Sequence, residues 1–249
     1  MAHIIAVTNQ KGGVGKTTTT VNLSACLADK GKRTLLVDLD PQGNATSGIG
    51  IDKESLKKNL YDCLIEQVPM DAVVQHTAVK KLFVVPATMD VAGAAVELVN
   101  MDRREQHLGE MKKPYDYIVI DCPPSLGLLT INALAAADSV LIPVQCEFYA
   151  LEGLAQLMQT VEMVRTNLND KLRLLGLLMT MYDGRTNLSI QVTEEVKKYF
   201  SGQVFHTIIP RNVRLGEAPS HGEPITVYPH SKGTEVYKKL AREVIGRVG

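Results

Sequence analysis

The stretch Lys11-Gly12-Gly13-Val14-Gly15-Lys16-Thr17-Thr18 gathers glycines, two lysines and two hydroxyls into a single turn of chain. Glycines let a loop curl until its amide N–H groups converge, and they let oxygens approach without a Cβ in the way. A helix opening behind the loop adds partial positive charge at its N-terminus. In such a nest Lys16 would set a full positive charge on the β- and γ-phosphates of a nucleotide. The Thr17 hydroxyl is a hard oxygen ligand suited to Mg²⁺. The usual pattern G-x-x-x-x-G-K-[ST] is broken at one place. Position 10 is Gln10 rather than glycine, and a second lysine, Lys11, stands at the front of the loop.

Phosphoryl transfer needs charge neutralisation and a positioned nucleophile more than covalent chemistry. Two acidic sites could supply them. Asp121 ends the run Ile118-Val119-Ile120-Asp121 and is followed by Cys122-Pro123-Pro124. An acid at the carboxyl end of a buried parallel strand sits beside the ligand crevice, so Asp121 is expected to hold a magnesium-bound water. The second site is Val37-Asp38-Leu39-Asp40-Pro41-Gln42. There Asp40 could orient the attacking water, and Asp38 could support either the magnesium shell or the loop. Strand-end aspartates also serve as turn and cap residues, and that use stays open for Asp38.

The elements that must carry these groups alternate. Apolar runs at 4–7, 34–37, 82–85, 117–120, 139–142 and 173–179 read as strands. Helical patterns at 17–28, 55–65, 93–111, 128–137, 151–166, 189–200 and 234–245 lie between and after them. Runs apolar at nearly every position, such as Tyr117-Ile118-Val119-Ile120, suit strands covered on both faces. The fold class is therefore α/β: a mostly parallel twisted sheet with helices on both faces, of the P-loop NTPase type. No linker or repeat interrupts it, and residues 1–249 read as one domain. A chain of this length buries about three quarters of its unfolded surface. The segment 210–233, with Pro210, Pro219, Pro224 and Pro229, is long for a connection and is expected to be functional.

Lys+Arg and Asp+Glu both total 27. That balance argues against a coat of basic charge, although a local basic face is compatible with it. Cys26, Cys63, Cys122 and Cys146 form no C-x-x-C pair and read as reduced thiols of a cytoplasmic protein. No signal peptide is visible, and no apolar stretch approaches the roughly 18 residues of a membrane span.

Four blocks together carry a resemblance over essentially the whole chain. They are Lys11–Thr18, Asp38-Leu39-Asp40-Pro41-Gln42-Gly43-Asn44, Asp121-Cys122-Pro123-Pro124-Ser125, and Pro210-Arg211-Asn212-Val213-Arg214 with Glu217-Ala218-Pro219-Ser220. They resemble the deviant Walker A ATPases, and within these the ParA/Soj chromosome-partitioning family. The resemblance implies an ATP hydrolase that uses Mg²⁺ and forms a nucleotide-sandwich homodimer on ATP. Lys11 is similar to the signature lysine that reaches the partner subunit's nucleotide, and Gly12 to the point where the two loops come closest. Asp40 is similar to the water-activating residue and Asp121 to the Walker B aspartate. Pro210 and Asn212 resemble the adenine-side loop, with Thr180 at the other adenine-side position, where relatives often have Asn. Arg185 and Arg214 resemble the positions that contact double-stranded DNA without sequence preference. The implied partner that resets the switch is a ParB/Spo0J-type centromere-binding protein, and the implied location is nucleoid-associated. A chain opening on its first strand matches poorly the relatives with an added helix-turn-helix domain.

Three other readings compete. A MinD-like membrane-recruited ATPase would need a C-terminal amphipathic helix; Val236, Leu240, Val244 and Ile245 make a stripe there, with no Phe or Trp after it. A redox enzyme like nitrogenase iron protein would need cluster-ligating cysteines beyond Cys122. A small-molecule kinase or ligase is disfavoured by the resemblance at Pro210–Ser220.

Overall fold

A computed structural model describes residues 2–100, 114–147, 150–228 and 231–249. Its centre is a seven-stranded sheet in the order β3-β4-β2-β5-β1-β6-β7. The strands are β1 His3–Val7, β2 Thr34–Asp38, β3 Gln75–His76, β4 Leu82–Val85, β5 Tyr117–Asp121, β6 Ser139–Gln145 and β7 Arg173–Thr180. All neighbours run parallel except the edge pair β3–β4.

The doubly apolar strands are explained by their period of two. Ile4, Ala6, Leu35, Val37, Ile118 and Ile120 face one layer, shared with α5 (Leu128–Ala136) and α6 (Ala150–Asn167). Ile5, Val7, Tyr117 and Val119 face the other, shared with α1 (Lys16–Asp29) and α9 (Lys232–Val248). Full burial of each such Leu, Ile or Val contributes roughly 1.5–3 kcal/mol. Helix α1 packs against β2, β5 and α9, which is why its residues Thr19 through Ala28 are buried rather than forming one apolar stripe.

The expected elements are recovered with local differences. The helix expected over 55–65 is a single turn, α3 (Leu60–Leu64), after a 3-10 turn at Lys53–Ser55. Asn59 and Asp62 form a reciprocal capping box at its start, which places the helix boundary well inside the predicted span. The helix expected over 93–111 starts earlier, as α4 (Asp90–Glu97), and passes into a 3-10 turn at Leu98–Asn100; its remainder from 101 lies outside the described residues. Two short helices had no periodic signal: α2 (Asn44–Gly48) and α8 (Val213–Glu217). The proline-rich segment contains α8, a 3-10 turn at Ala218–His221 and the start of α9. The last layer helix, α7, spans Asn187–Tyr199.

The turn after α2 and the turn after α8 meet backbone to backbone. Gly50 has φ +86° and a Cβ there would lie 2.9 Å from the Gly222 carbonyl oxygen. Gly222 has φ +65° and a Cβ there would lie 2.8 Å from Gly50 Cα. Only glycine satisfies both the left-handed backbone and the contact. Gly222→Ala is therefore expected to cost at least about 1–2 kcal/mol, lowering the melting temperature by about 2–8 °C in a chain of this size. Gly246→Ala in α9, where a Cβ meets nothing within 4 Å, is expected to leave it equal or raise it. Thermal melts of the two variants check the contrast.

Candidate functional site

The loop between β1 and α1 closes on itself. Gly15 caps α1 in the left-handed region at φ 89°, with no side-chain cap, so the first helical N–H groups are left for a ligand. Lys16 is only 6% exposed, and its ammonium donates to the Lys11 carbonyl at 3.1 Å. Burial lowers the Lys16 pKa, opposed by the nearby carboxyl groups of Asp121 and, more weakly, Asp40.

Hydrogen bonds to β6, β7 and α6 hold the loop. Asn9 donates to Pro143 O at 2.8 Å and accepts from Lys11 N at 3.0 Å. Thr180, at the end of β7, donates its hydroxyl to Val14 O at 2.8 Å. Gln10, where the common pattern has glycine, donates to Gly153 O at 3.2 Å and to Gln156 Oε1 at 2.9 Å. The break in the motif is thus a tie from the loop to α6. Lys11 does not point at the phosphate nest. Its ammonium pairs with Glu147 Oε2 of its own chain at 2.6 Å, with both side chains near half exposure.

The acids sit under the loop. Asp38 and Asp121 are directly opposite in the β2–β5 register, and Val7 of β1 is opposite Asp121 on the other side. Both carboxylates are fully buried. Asp121 Oδ1 accepts from the Thr20 hydroxyl at 3.0 Å. Asp121 Oδ2 is buried without a partner, an arrangement that calls for a missing ligand. Asp38 differs. Its Oδ1 accepts from Asp40 N at 3.2 Å, and its Oδ2 accepts from Thr46 N at 2.8 Å and the Thr46 hydroxyl at 2.7 Å. Both Asp38 oxygens are thus bonded by groups of the β2–α2 turn. Asp40 is 7% exposed, and its Oδ1 accepts from Gln42 N at 3.0 Å.

Among the described residues no cluster of three His, Cys, Asp or Glu side chains could hold a metal ion. A cation at Thr17 and Asp121 would need phosphate and water oxygens to complete its shell. That suits Mg²⁺, which keeps waters and shares phosphates.

On the other side of α1 a cavity of about 500 Å³ is bounded by Thr18, Thr180, Pro210, Asn212, Leu215 and Tyr237. Pro210 reaches it because Tyr182 and Pro210 form a parallel bridge beyond β7. Asn212 uses its Oδ1 to cap α8, accepting from Arg214 N at 2.9 Å. The two arginines singled out in the sequence lie on the surface, each paired with a nearby acid. Arg185 makes a two-point contact with Asp183 at 2.9 and 2.7 Å. Arg214 meets Glu217 at 3.1 Å and lies over the Tyr228 ring. Such solvent-exposed pairs are screened by water and contribute little, so they leave the guanidiniums exchangeable.

Sequence reasoning missed four supporting residues: Asn9, Glu147, Thr46 and Asn22. Asn22 donates to Thr18 O at 2.8 Å and accepts from Ile225 N at 2.7 Å, tying α1 to the proline-rich segment. Only Asn9 had a local signal, an Asx turn two residues ahead of Lys11. The others bond to residues outside their own short segment: Thr46 to Asp38, Glu147 to Lys11, Asn22 to Ile225.

Burial raises the Asp121 carboxyl to about 8, with the neighbouring Asp38 charge adding to the rise and the Thr17 and Thr20 hydroxyls opposing it. Burial raises Asp38 as well. A folded-state pKa above the unfolded value of about 3.9 makes the folded chain the better proton binder, so stability is full below that value and is lost as pH rises. The loss is complete once pH has passed through the raised value of about 8. Asp121→Asn in the nucleotide-free chain is expected to raise the melting temperature at pH 8, with the gain shrinking toward pH 4. Thermal melts across that range read it directly, and a gain that grew on acidification would contradict the assignment.

Comparison with known proteins agrees with this geometry. A family model described as AAA domain matches residues 2–174. The chain is 61% identical over 249 residues to the sporulation initiation inhibitor protein Soj of Bacillus subtilis, covering 98% of each. It is 56% identical over 252 residues to the chromosome partitioning protein ParA of Myxococcus xanthus, covering 99% of this chain and 89% of that one. Among solved structures, cobyrinic acid a,c-diamide synthase from Mycobacterium smegmatis with bound ATP analogue and magnesium superposes with a TM-score of 0.85 at 37% identity, covering 97% and 93%. Loop, buried acids, sheet order and full-length similarity converge: the chain belongs to the Soj/ParA chromosome-partitioning family of P-loop ATPases.

Proposed function

We propose that this chain is an ATP-dependent switch for DNA segregation. The observation that carries the reading is the amide-lined loop with buried Lys16, set beside a carboxylate oxygen of Asp121 that has no protein partner. The loop amides of Gly12, Gly13, Val14 and Gly15, with Lys16, Thr17 and Thr18, grip the triphosphate. Pro210 and Asn212 bound the base. Thr17 and Asp121 would hold a magnesium ion, which would neutralise phosphate charge when bound. Asp38 holds the turn that presents Asp40, and Asp40 orients the attacking water. The half-exposed Lys11–Glu147 pair supports a lysine that exchanges partners. Lys11 leaves its own carboxylate for the nucleotide of a second copy, and the ATP homodimer forms.

The dimer binds double-stranded DNA without sequence preference through Arg185 and Arg214, doubling a face too weak in one copy. A ParB-type centromere-binding protein speeds hydrolysis and resets it. The C-terminal helix supports this reading over the membrane-recruited one. Tyr237, Leu240, Ala241 and Val244 of α9 are buried, and Val236 and Ile245 pack against the same core. The apolar stripe that a membrane surface would need is already covered. Among the described residues no helix is long and apolar enough to cross a membrane.

The test is DNA co-sedimentation with ATP, ADP and no nucleotide. Binding is expected with ATP only, and Lys16→Ala is expected to abolish both nucleotide binding and DNA binding; equal DNA binding in all three states would reject the switch. For the exchange of Lys11, Glu147→Gln is expected to lower the ATP concentration at which dimers form by up to about fivefold, the equivalent of an exposed ion pair of up to about 1 kcal/mol. Sedimentation velocity across an ATP titration measures the midpoint.

A further inference from the structure

Thr46 lies inside α2 and is fully buried. Its backbone N–H and its hydroxyl both donate to one oxygen, Asp38 Oδ2, at 2.8 and 2.7 Å. The hydroxyl oxygen also accepts from Ala87 N, just beyond β4, at 2.9 Å. A hydroxyl has one proton and two acceptor lone pairs. Its orientation is therefore fixed, with the proton on Asp38 and a lone pair on the Ala87 N–H. The other Asp38 oxygen accepts from Asp40 N at 3.2 Å. The Asp38 carboxylate is a strut with two gripped ends: the Asp40 backbone at one, Thr46 at the other. The same turn is pressed against the strand beyond, since a Cβ on Gly43 would lie 2.6 Å from Ala87 O.

We infer that Thr46 is a positioning residue for hydrolysis, setting through Asp38 the backbone that presents Asp40 to the attacking water. The inference rests on the reading of Asp40 proposed above. It is distinct from ATP binding, because Thr46 touches neither the loop nor the base-side cavity. Valine keeps the shape of threonine but removes both hydroxyl interactions. The carboxylate then keeps only the Thr46 N–H at that oxygen, the Ala87 N–H loses its acceptor, and the strut is free to turn. A small displacement of a catalytic group costs rate far more than it costs ground-state affinity.

The experiment measures single-turnover phosphate release from labelled ATP with Mg²⁺, ATP affinity by calorimetry and melting temperature. The chains compared are wild type, Thr46→Val, Thr46→Ser, Asp40→Ala and the Val/Ala double variant. Thr46→Val is expected to slow release about tenfold or more with ATP affinity kept within about threefold. Thr46→Ser restores release to within about threefold of wild type, because the hydroxyl is kept. On the Asp40→Ala background the valine change is expected to slow release by no more than about twofold, as two residues acting in one chain of contacts are not additive. Wild-type release from Thr46→Val, beside a slowed but measurable Asp40→Ala, overturns this inference alone. Equal slowing by valine with and without Asp40 also overturns it, as does a matched loss of affinity and rate. Wild-type release from Asp40→Ala overturns the reading of Asp40 and this inference with it. If the valine chain does not fold, Thr46→Ala against Thr46→Ser decides on the same measurements.

Discussion

Two aspartates buried side by side are the constraint around which this molecule is arranged. Asp38 and Asp121 face each other across β2 and β5, and both side chains are fully buried. Like charges taken out of solvent repel strongly, and each ion alone loses its hydration. The fold tolerates them by supplying hydrogen-bond donors: Thr20 at Asp121, Thr46 and the Asp40 amide at Asp38. Lys16 supplies the opposing charge, and its own lowered pKa reflects the shared burial. The pair sets two carboxyl groups under a positive loop, with burial holding back their ionisation.

Sheet topology places that floor. β5 lies between β2 and β1, so the strand carrying Asp121 is flanked by the strand carrying Asp38 and by the strand that feeds the glycine loop. Parallel pairing brings the carboxyl ends of all three to one edge. The three sequence blocks, far apart along the chain, meet because the β2–β5–β1 neighbourhood permits no other arrangement. Satisfaction then divides the acids. Asp38 has both oxygens bonded by protein, whereas Asp121 keeps one unpartnered oxygen. Chemically equivalent residues at equivalent strand ends thus differ in how fully the protein satisfies them.

The phosphate loop, the strand-end acids and the alternation of strands and helices were legible in the sequence because each is encoded locally, by glycine spacing or by runs apolar at every position. The ties that make the site rigid were not. Gln10 reaches Gly153 and Gln156, and Asn22 reaches Ile225. Such contacts depend on which strands become neighbours, and no short window holds that information. Asp38 shows the same limit: its residue type and position fitted metal support or turn support, and its bonds to Thr46 and Asp40 N are visible only in the fold. Helices α2 and α8 are too short for periodicity. Their caps, Gly43 in the left-handed region and the Asn212 side chain, mark their starts only once the backbone is seen.

Lys11 connects this geometry to switching. A conformational change follows a ligand only as far as the ligand distinguishes the two states. On the proposed reading the monomer state holds Lys11 on Glu147, a half-exposed contact of small net worth. The dimer state would set the same ammonium against a triphosphate, a multiply charged and largely desolvated partner. ATP gains from that exchange through its γ-phosphate, and ADP gains less. The weakness of the internal pair is then what lets a single phosphate group decide the assembly state. A stronger internal pair would hold the lysine against either nucleotide. With no internal pair, the ammonium would be free to engage ADP as well, and the distinction between the two nucleotides would narrow.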